Sequence, residues 1–187
     1  MTRPLSTEVR SALNLAIDHV LYKRGLHEGT IDEICVEAGV GKPALYRHFG
    51  SREQLLVDYL QRRREQRSVL ITEAMNAAGL DPKKRVMALV NWIADWIESD
   101  DFVGCGFHRA LLQRPDGDEQ ISEIALLQKK WLQRTIAKEL GSIIKNSATI
   151  ARHLFLLIEG SMAAAMYEPN RRSGSDLRRL ARTLISQ

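Results

Sequence analysis

A local excess of positive charge lies between residues 42 and 64, where Lys42, Arg47, Arg52, Arg62, Arg63 and Arg64 face only Glu53 and Asp58. A local excess of that kind suits a phosphate polyanion, because each neutralised phosphate releases counterions. The 187-residue chain carries 27 Lys/Arg and 23 Asp/Glu, a net charge of +4 that is split evenly between residues 1–67 and 68–187. Distribution therefore carries the argument, and total charge does not. Other chemistries have less support. Cys105 and His108 stand three apart, a spacing that can put two metal ligands on one helix face, but a structural zinc site takes four. No G-x-S-x-G, H-E-x-x-H or G-x-x-x-x-G-K-[ST] motif occurs, nor a Glu-x-x-His pair of the di-iron type. Catalysis has no support, and no metal or cofactor is expected.

The elements that must position the basic run read as helices. Hydrophobic residues make up 44% of the chain and charged residues 27%, close to the usual globular mix, so disorder and fibrous repeats are excluded. Leu5, Val9, Ala12, Leu13, Ala16, Ile17, Val20 and Leu21 recur at steps of three and four, one apolar stripe of a first helix that Gly25 ends. Thr30 three residues before Glu33 forms a capping-box pattern for a second helix running to Ala38. Gly39-Val40-Gly41 makes a turn, and Pro43 suits the first turn of a third helix over Lys42 to His48, with Leu45 and Phe49 in the core. Ser51 caps a long helix reaching toward Ala78, and Asp81-Pro82 starts a fifth. A weaker helix over 102–113, a loop at 114–118, and helices near 119–140, 148–167 and 175–186 complete an all-α chain of about nine helices.

Two short helices joined by a glycine turn can place one helix in a major groove about 12 Å wide, although generic helical hairpins read the same way. The residues narrow the choice. Thr30-Ile31-Asp32-Glu33-Ile34, then Ala38-Gly39-Val40-Gly41-Lys42-Pro43-Ala44-Leu45-Tyr46-Arg47-His48-Phe49, then Ser51-Arg52-Glu53-Gln54-Leu55 closely resemble the tetracycline-repressor (TetR) family of bacterial regulators over about residues 9–60. The remaining two thirds resembles that family in helical layout and size. The resemblance implies a helix-turn-helix DNA-binding head at residues 1–50 and an effector-binding, dimerising helical body at 51–187. It puts Lys42, Pro43, Ala44, Tyr46, Arg47 and His48 on the recognition helix, and Thr30 and Arg52 at helix starts that meet phosphates. Three positions depart from the family pattern. Gly41 replaces a serine or threonine cap, Cys35 an alanine, and Arg52 a lysine. Arg62, Arg63 and Arg64 are expected on a solvated face. Arg3 and Arg10 suit either a minor-groove arm or a loose tail.

In the body, Trp92, Trp96, Phe102, Phe107, Trp131, Phe155 and Met162 suit a core. With the family's cavity in mind they also suit an apolar pocket, with Gln128, His108 or His153 as polar handles. Ile150, Leu154, Leu157, Ile158, Ser161 and Ala165 form one stripe, and Leu177, Leu180, Ala181 and Leu184 another, with Ile185 beside it. A monomer core could absorb both. The family's four-helix interface between two subunits is the sharper expectation, because a twofold operator needs a symmetric dimer.

The expected protein is a homodimeric repressor released from a palindromic, double-stranded DNA operator by a small-molecule effector that the sequence does not identify. Other readings are a regulator acting with a protein partner or without an effector, and a helical small-molecule-binding or scaffolding protein that no longer uses DNA. Two cysteines seventy positions apart suggest reduced thiols. Met1-Thr2-Arg3-Pro4 leads into mixed polar sequence with no long apolar run, so neither secretion nor membrane insertion is expected, and a cytoplasmic location is.

Overall fold

The computed structural model describes residues 6–112, 119–141, 143–168 and 172–186. Among them are nine helices and no strand. They are α1 (Thr7–Arg24), α2 (Ile31–Ala38), α3 (Lys42–Phe49), α4 (Arg52–Ala77), α5 (Pro82–Glu98), α6 (Gly106–Leu112), α7 (Glu119–Leu140), α8 (Ser147–Ala164) and α9 (Ser173–Ile185). No described helix is long and apolar enough to cross a membrane. The loop expected at 114–118 lies outside the described residues, as do Leu5 and Arg3.

The helix starts follow the side chains that cap them. The Ser6 hydroxyl accepts from the Val9 amide at 3.4 Å, and the Asp81 carboxylate accepts from the Lys83 and Lys84 amides at 2.8 and 3.1 Å. At α2 both halves of the capping box are made: Glu33 N–H donates to Thr30 Oγ1 at 3.2 Å and Thr30 N–H to Glu33 Oε2 at 3.0 Å. Those bonds hold the Glu33 carboxyl below its ordinary value. Gly39 closes α2 in the left-handed region (φ 66°), which a side chain with a Cβ resists, and so turns the chain into α3.

The chain divides into two compact units, residues 1–64 with 106–126, and 65–105 with 127–187. The first half of α4, all of α6 and the start of α7 lie in the same unit as α1, α2 and α3, whereas the expected boundary falls at residue 50. In this first unit α1 packs on α2 and α3, and Leu13, Ile17, Ile34, Leu45, Leu55 and Leu60 are completely buried.

In the second unit α5, α8 and α9 pack on one another. Gly174 lets α9 approach α5 closely, since a Cβ there would lie 2.5 Å from Glu98 Oε1. Arg178 of α9 then pairs with Asp95 and, at 2.8 Å, with Glu98. Arg85 Nε reaches Glu139 of α7 at 2.8 Å, and another of its nitrogens bonds the Met75 and Gly79 carbonyls near the end of α4.

Within a single chain much of the two expected dimer stripes is already covered. Leu154, Ile158, Leu177 and Ala181 have no exposed surface within a single chain, and Ile150, Ser161 and Ala165 are also buried. Side chains already covered within one chain have little surface left to give a partner. Only Leu180, 41% exposed, and the half-buried Leu157 and Leu184 remain outside.

Leu177→Ala should therefore cost about 2–5 kcal/mol of folding stability, the usual loss for a leucine removed from a sealed core. A urea titration followed by circular dichroism measures it; a midpoint matching the unmodified chain would place Leu177 outside the core.

Candidate nucleic-acid interface

α3 has only eight residues, and its orientation comes from two of them. Leu45 is fully buried and Phe49, one turn later, is 5% exposed, which pins that side of the helix to the head's core. Lys42, Pro43, Tyr46 and Arg47 are left exposed, with Ala44 and His48 at the margin. The outward edge is thus basic and aromatic, the combination that pairs with phosphates and guanine edges. Gly41 leaves the helix start without a side-chain cap, as its departure from the family pattern implied.

The electrostatics of this edge depend on neighbours in space. Lys42 Nζ lies 2.7 Å from Asp32 Oδ1 on α2, and this bond pushes the lysine's pKa up. His48 is pulled down from its ordinary value, first by burial and then by the Arg10 and Arg47 charges, which favours a neutral ring. The Thr30 hydroxyl, expected on a phosphate, is engaged in its own helix cap: besides accepting from Glu33 N–H it donates to Glu33 Oε2 at 3.1 Å.

Four arginines serve roles that residue spacing did not reveal. Arg52, expected on a phosphate, turns inward and donates to the Gly29 carbonyl at 2.9 Å, the Leu26 carbonyl at 2.5 Å and the His27 carbonyl at 3.3 Å. A planar fork with five N–H groups can serve three carbonyls of the α1–α2 connection, which a lysine ammonium does less well. Arg62, expected to be solvated, is mostly buried and binds both Asp58, at 2.8 Å, and Asp18, at 2.9 Å. Burial still pushes the Asp18 carboxyl up, against the pull of Arg62. The Arg63 guanidinium lies over the Tyr22 ring at 4.6 Å, and Arg64 is half-buried. Arg10, weighed as part of a loose arm, is held within the head by the His48 carbonyl, the Phe49 ring and Asp58. The half-buried Asp58, four residues before Arg62 on α4, is the local signal in the sequence for one of these pairs.

Phe107 and His108 of the expected pocket belong to the first unit, and the other members to the second. There, Trp96 meets the Phe102 ring edge-on at 4.8 Å and Trp92 at 6.5 Å, while Arg67 sits 4.0 Å from the centre of the Trp96 ring. Phe102, Gln128 and Met162 are buried, Trp131 and Phe155 are half-buried, and His153 is exposed. The buried Oε1 of Gln128 and Oδ1 of Asn91 have no hydrogen-bond partner among the described residues. Cys35 and Cys105 are both buried, and no disulfide joins them.

Comparison with known proteins converges on one family. Residues 16–59 match the family model described as bacterial regulatory proteins, TetR family. Over 93 residues the chain is 37% identical to the HTH-type transcriptional activator FasR of Mycolicibacterium smegmatis, covering 50% of this chain but only 42% of that relative's length. The crystal structure of SCO4454, a TetR-family transcriptional regulator from Streptomyces coelicolor, superposes with a TM-score of 0.90 at 26% identity, covering 97% of this chain and 96% of the other. A cysteine mutant of the TetR-family regulator CifR, solved with a 26 bp double-strand operator DNA, shares the fold with a TM-score of 0.79 at 20% identity, covering 97% and 98%.

Arg52→Ala should cost roughly 1.5–3 kcal/mol of head stability, the usual worth of hydrogen bonds from a charged group. Arg52→Lys should recover only part of it. Thermal unfolding measures both, and an Arg52→Ala head as stable as the original would return this side chain to solvent or phosphate.

Proposed function

We propose that the chain is a TetR-family transcriptional regulator, as the match over residues 16–59 and the shared fold support, and that it binds a palindromic double-stranded DNA operator as a homodimer and represses from it until a small molecule releases it. The observation that carries the DNA-binding part is the outward edge of α3, where Lys42, Tyr46 and Arg47 stand exposed while Leu45 and Phe49 anchor the opposite side. Arg47 is the natural reader of a guanine edge, and Tyr46, 42% exposed, can donate its hydroxyl to a phosphate. Two such helices must reach successive major-groove faces about 34 Å apart, or a multiple of that.

A dimer face is supported by the side chains that the second unit leaves outside. His153, Leu156, Gly160 and Ala163 are exposed along one side of α8, and Leu180 and Thr183 on α9. A Cβ on Gly160 would meet nothing within 4 Å, so that stretch of α8 is open to close approach by another helix. Leu156, 54% exposed, lies on this face and outside the expected stripe of Ile150, Leu154, Leu157, Ile158, Ser161 and Ala165.

The effector is supported by unpartnered buried polar atoms. Gln128 Oε1 and Asn91 Oδ1 lie in the second unit beside no donor among the described residues, and a buried acceptor without a partner costs free energy that a ligand's N–H or O–H would recover. A small molecule preferring one of two head spacings would couple to DNA with about 1–3 kcal/mol. A second reading keeps the DNA contact and reverses the sign: FasR, the relative sharing 37% identity, is named an activator. A reporter gene placed behind the recovered operator separates the two.

Selection of bound fragments from genomic DNA is expected to recover a palindrome, and Arg47→Ala to lose discrimination at one base pair of each half-site. Recovery of unrelated fragments would sink the operator reading. Asp32→Asn should strengthen binding to DNA of any sequence and steepen the slope of log affinity against log salt by about 0.9, because Lys42 is released to a phosphate. Fluorescence anisotropy at three salt concentrations gives both values; an unchanged slope would mean that Lys42 already reaches DNA beside Asp32. Leu156→Glu should convert the sedimenting species to monomer and weaken operator binding, and a persisting dimer would move the interface elsewhere.

A further inference from the structure

The C-terminal end of α3 is held by one side chain from another helix. The last four carbonyls of any α-helix lack partners within it, and in a helix of eight residues these are half of the total. Arg10, on α1, donates through one nitrogen to the His48 carbonyl at 2.8 Å. A second nitrogen of the same guanidinium bonds Asp58 on α4, and its central carbon stands 4.0 Å from the centre of the Phe49 ring. A cation at this position also complements the negative end of the helix dipole. The other oxygen of Asp58 accepts from Arg62 Nε at 2.8 Å, and Arg62 in turn grips Asp18 of α1 at 2.9 and 3.0 Å. The circuit Arg10–Asp58–Arg62–Asp18 is neutral, runs twice between α1 and α4 and, among the described residues, touches α3 through Arg10.

We infer that Arg10 is a positioning residue for operator recognition: its guanidinium fixes the end of α3 to α4, so that the recognition helix keeps one angle with the helix that leaves the head. The inference rests on the DNA-binding reading above. Three features set it apart from a general stabilising role. Among the described residues Arg10 is the member of the circuit that reaches α3, and its hydrogen bond there goes to a backbone carbonyl, so it acts on helix placement whatever side chain stands at 48. Only a fork can bond a carbonyl and a carboxylate while stacking on a ring, so the requirement is for arginine and not for positive charge. Asp58 takes part by aiming Arg10, which gives an acidic residue in a DNA-binding head a supporting role.

That last feature sets the sign of the test. Removing a negative charge from a DNA-binding head ordinarily strengthens its hold on phosphates. Asp58→Asn is expected to weaken binding to the selected operator instead, as Arg10→Ala does, each roughly tenfold, the loss that follows when a charge-assisted hydrogen bond is removed. The salt slope should stay unchanged in both, because neither side chain meets a phosphate. Arg10→Lys keeps the charge and should fail to restore affinity. Amide hydrogen exchange without DNA provides an independent reading. In Arg10→Lys, exchange should accelerate at the end of α3, including the Gly50 amide that bonds the Tyr46 carbonyl at 2.8 Å, while α2 stays protected.

Tighter binding by Asp58→Asn, or a salt slope reduced by about one unit in Arg10→Ala, would make Arg10 a direct DNA contact and overturn the inference. Unchanged exchange at the end of α3 would overturn it too. If the original chain bound no DNA, the functional reading would fail, and the exchange measurement would still decide whether Arg10 holds the helix.

Discussion

The burial of Leu45 and Phe49 is the constraint on which the head depends. An eight-residue helix is too short to persist alone in water, since the cost of its first turn is never recovered by so few further bonds. α3 exists because these two side chains, four apart, are taken up by the core, and its outward edge is whatever they leave over. Pro43 helps by presetting one backbone angle near the start, and the left-handed Gly39 lets the chain reverse without strain. Lys42, Tyr46 and Arg47 thus owe their exposure to residues buried on the opposite side of the helix.

Positive charge in the head is divided between holding and reaching. The sequence shows a surplus of basic residues from 42 to 64, yet Arg52 is spent on three carbonyls, Arg62 on two aspartates and Arg63 on aromatic rings. Half of the apparent footprint is therefore internal scaffolding. Arginine suits it because the guanidinium is weakly hydrated and its fixed donors can bridge several acceptors at little entropic cost. The cations left at the outer edge of α3 are few, Lys42 and Arg47 among them.

In the body one amphipathic pattern has two physical outlets. A leucine stripe on α8 or α9 is equally content inside its own subunit or against another, because burial stabilises by area and not by the identity of the covering surface. Here the stronger stripes went inward, sealed by α5, whose approach to α9 needs Gly174 and is matched by Arg178 with its two acids. The outer sides of α8 and α9 keep smaller and more scattered apolar groups, among them Leu156, Gly160, Ala163 and Leu180.

Local signals in the sequence determined the helices of the head and their order. The Thr30–Glu33 box, the Ser51 cap and the apolar stripe of α1, like the Asp81 cap that starts α5 in the second unit, each act through steps of three or four residues, so neighbours in sequence suffice to define them. The assignment of Leu45 and Phe49 to the core was legible for the same reason. Tertiary structure alone decided which charges remain available and which leucines remain uncovered. Arg10 meets Asp58 across 48 positions, Arg52 meets Leu26 across 26, and α9 meets α5 across about eighty. Such pairings depend on how whole helices pack, and a side chain's type and spacing carry no record of which distant partner the packing will bring to it.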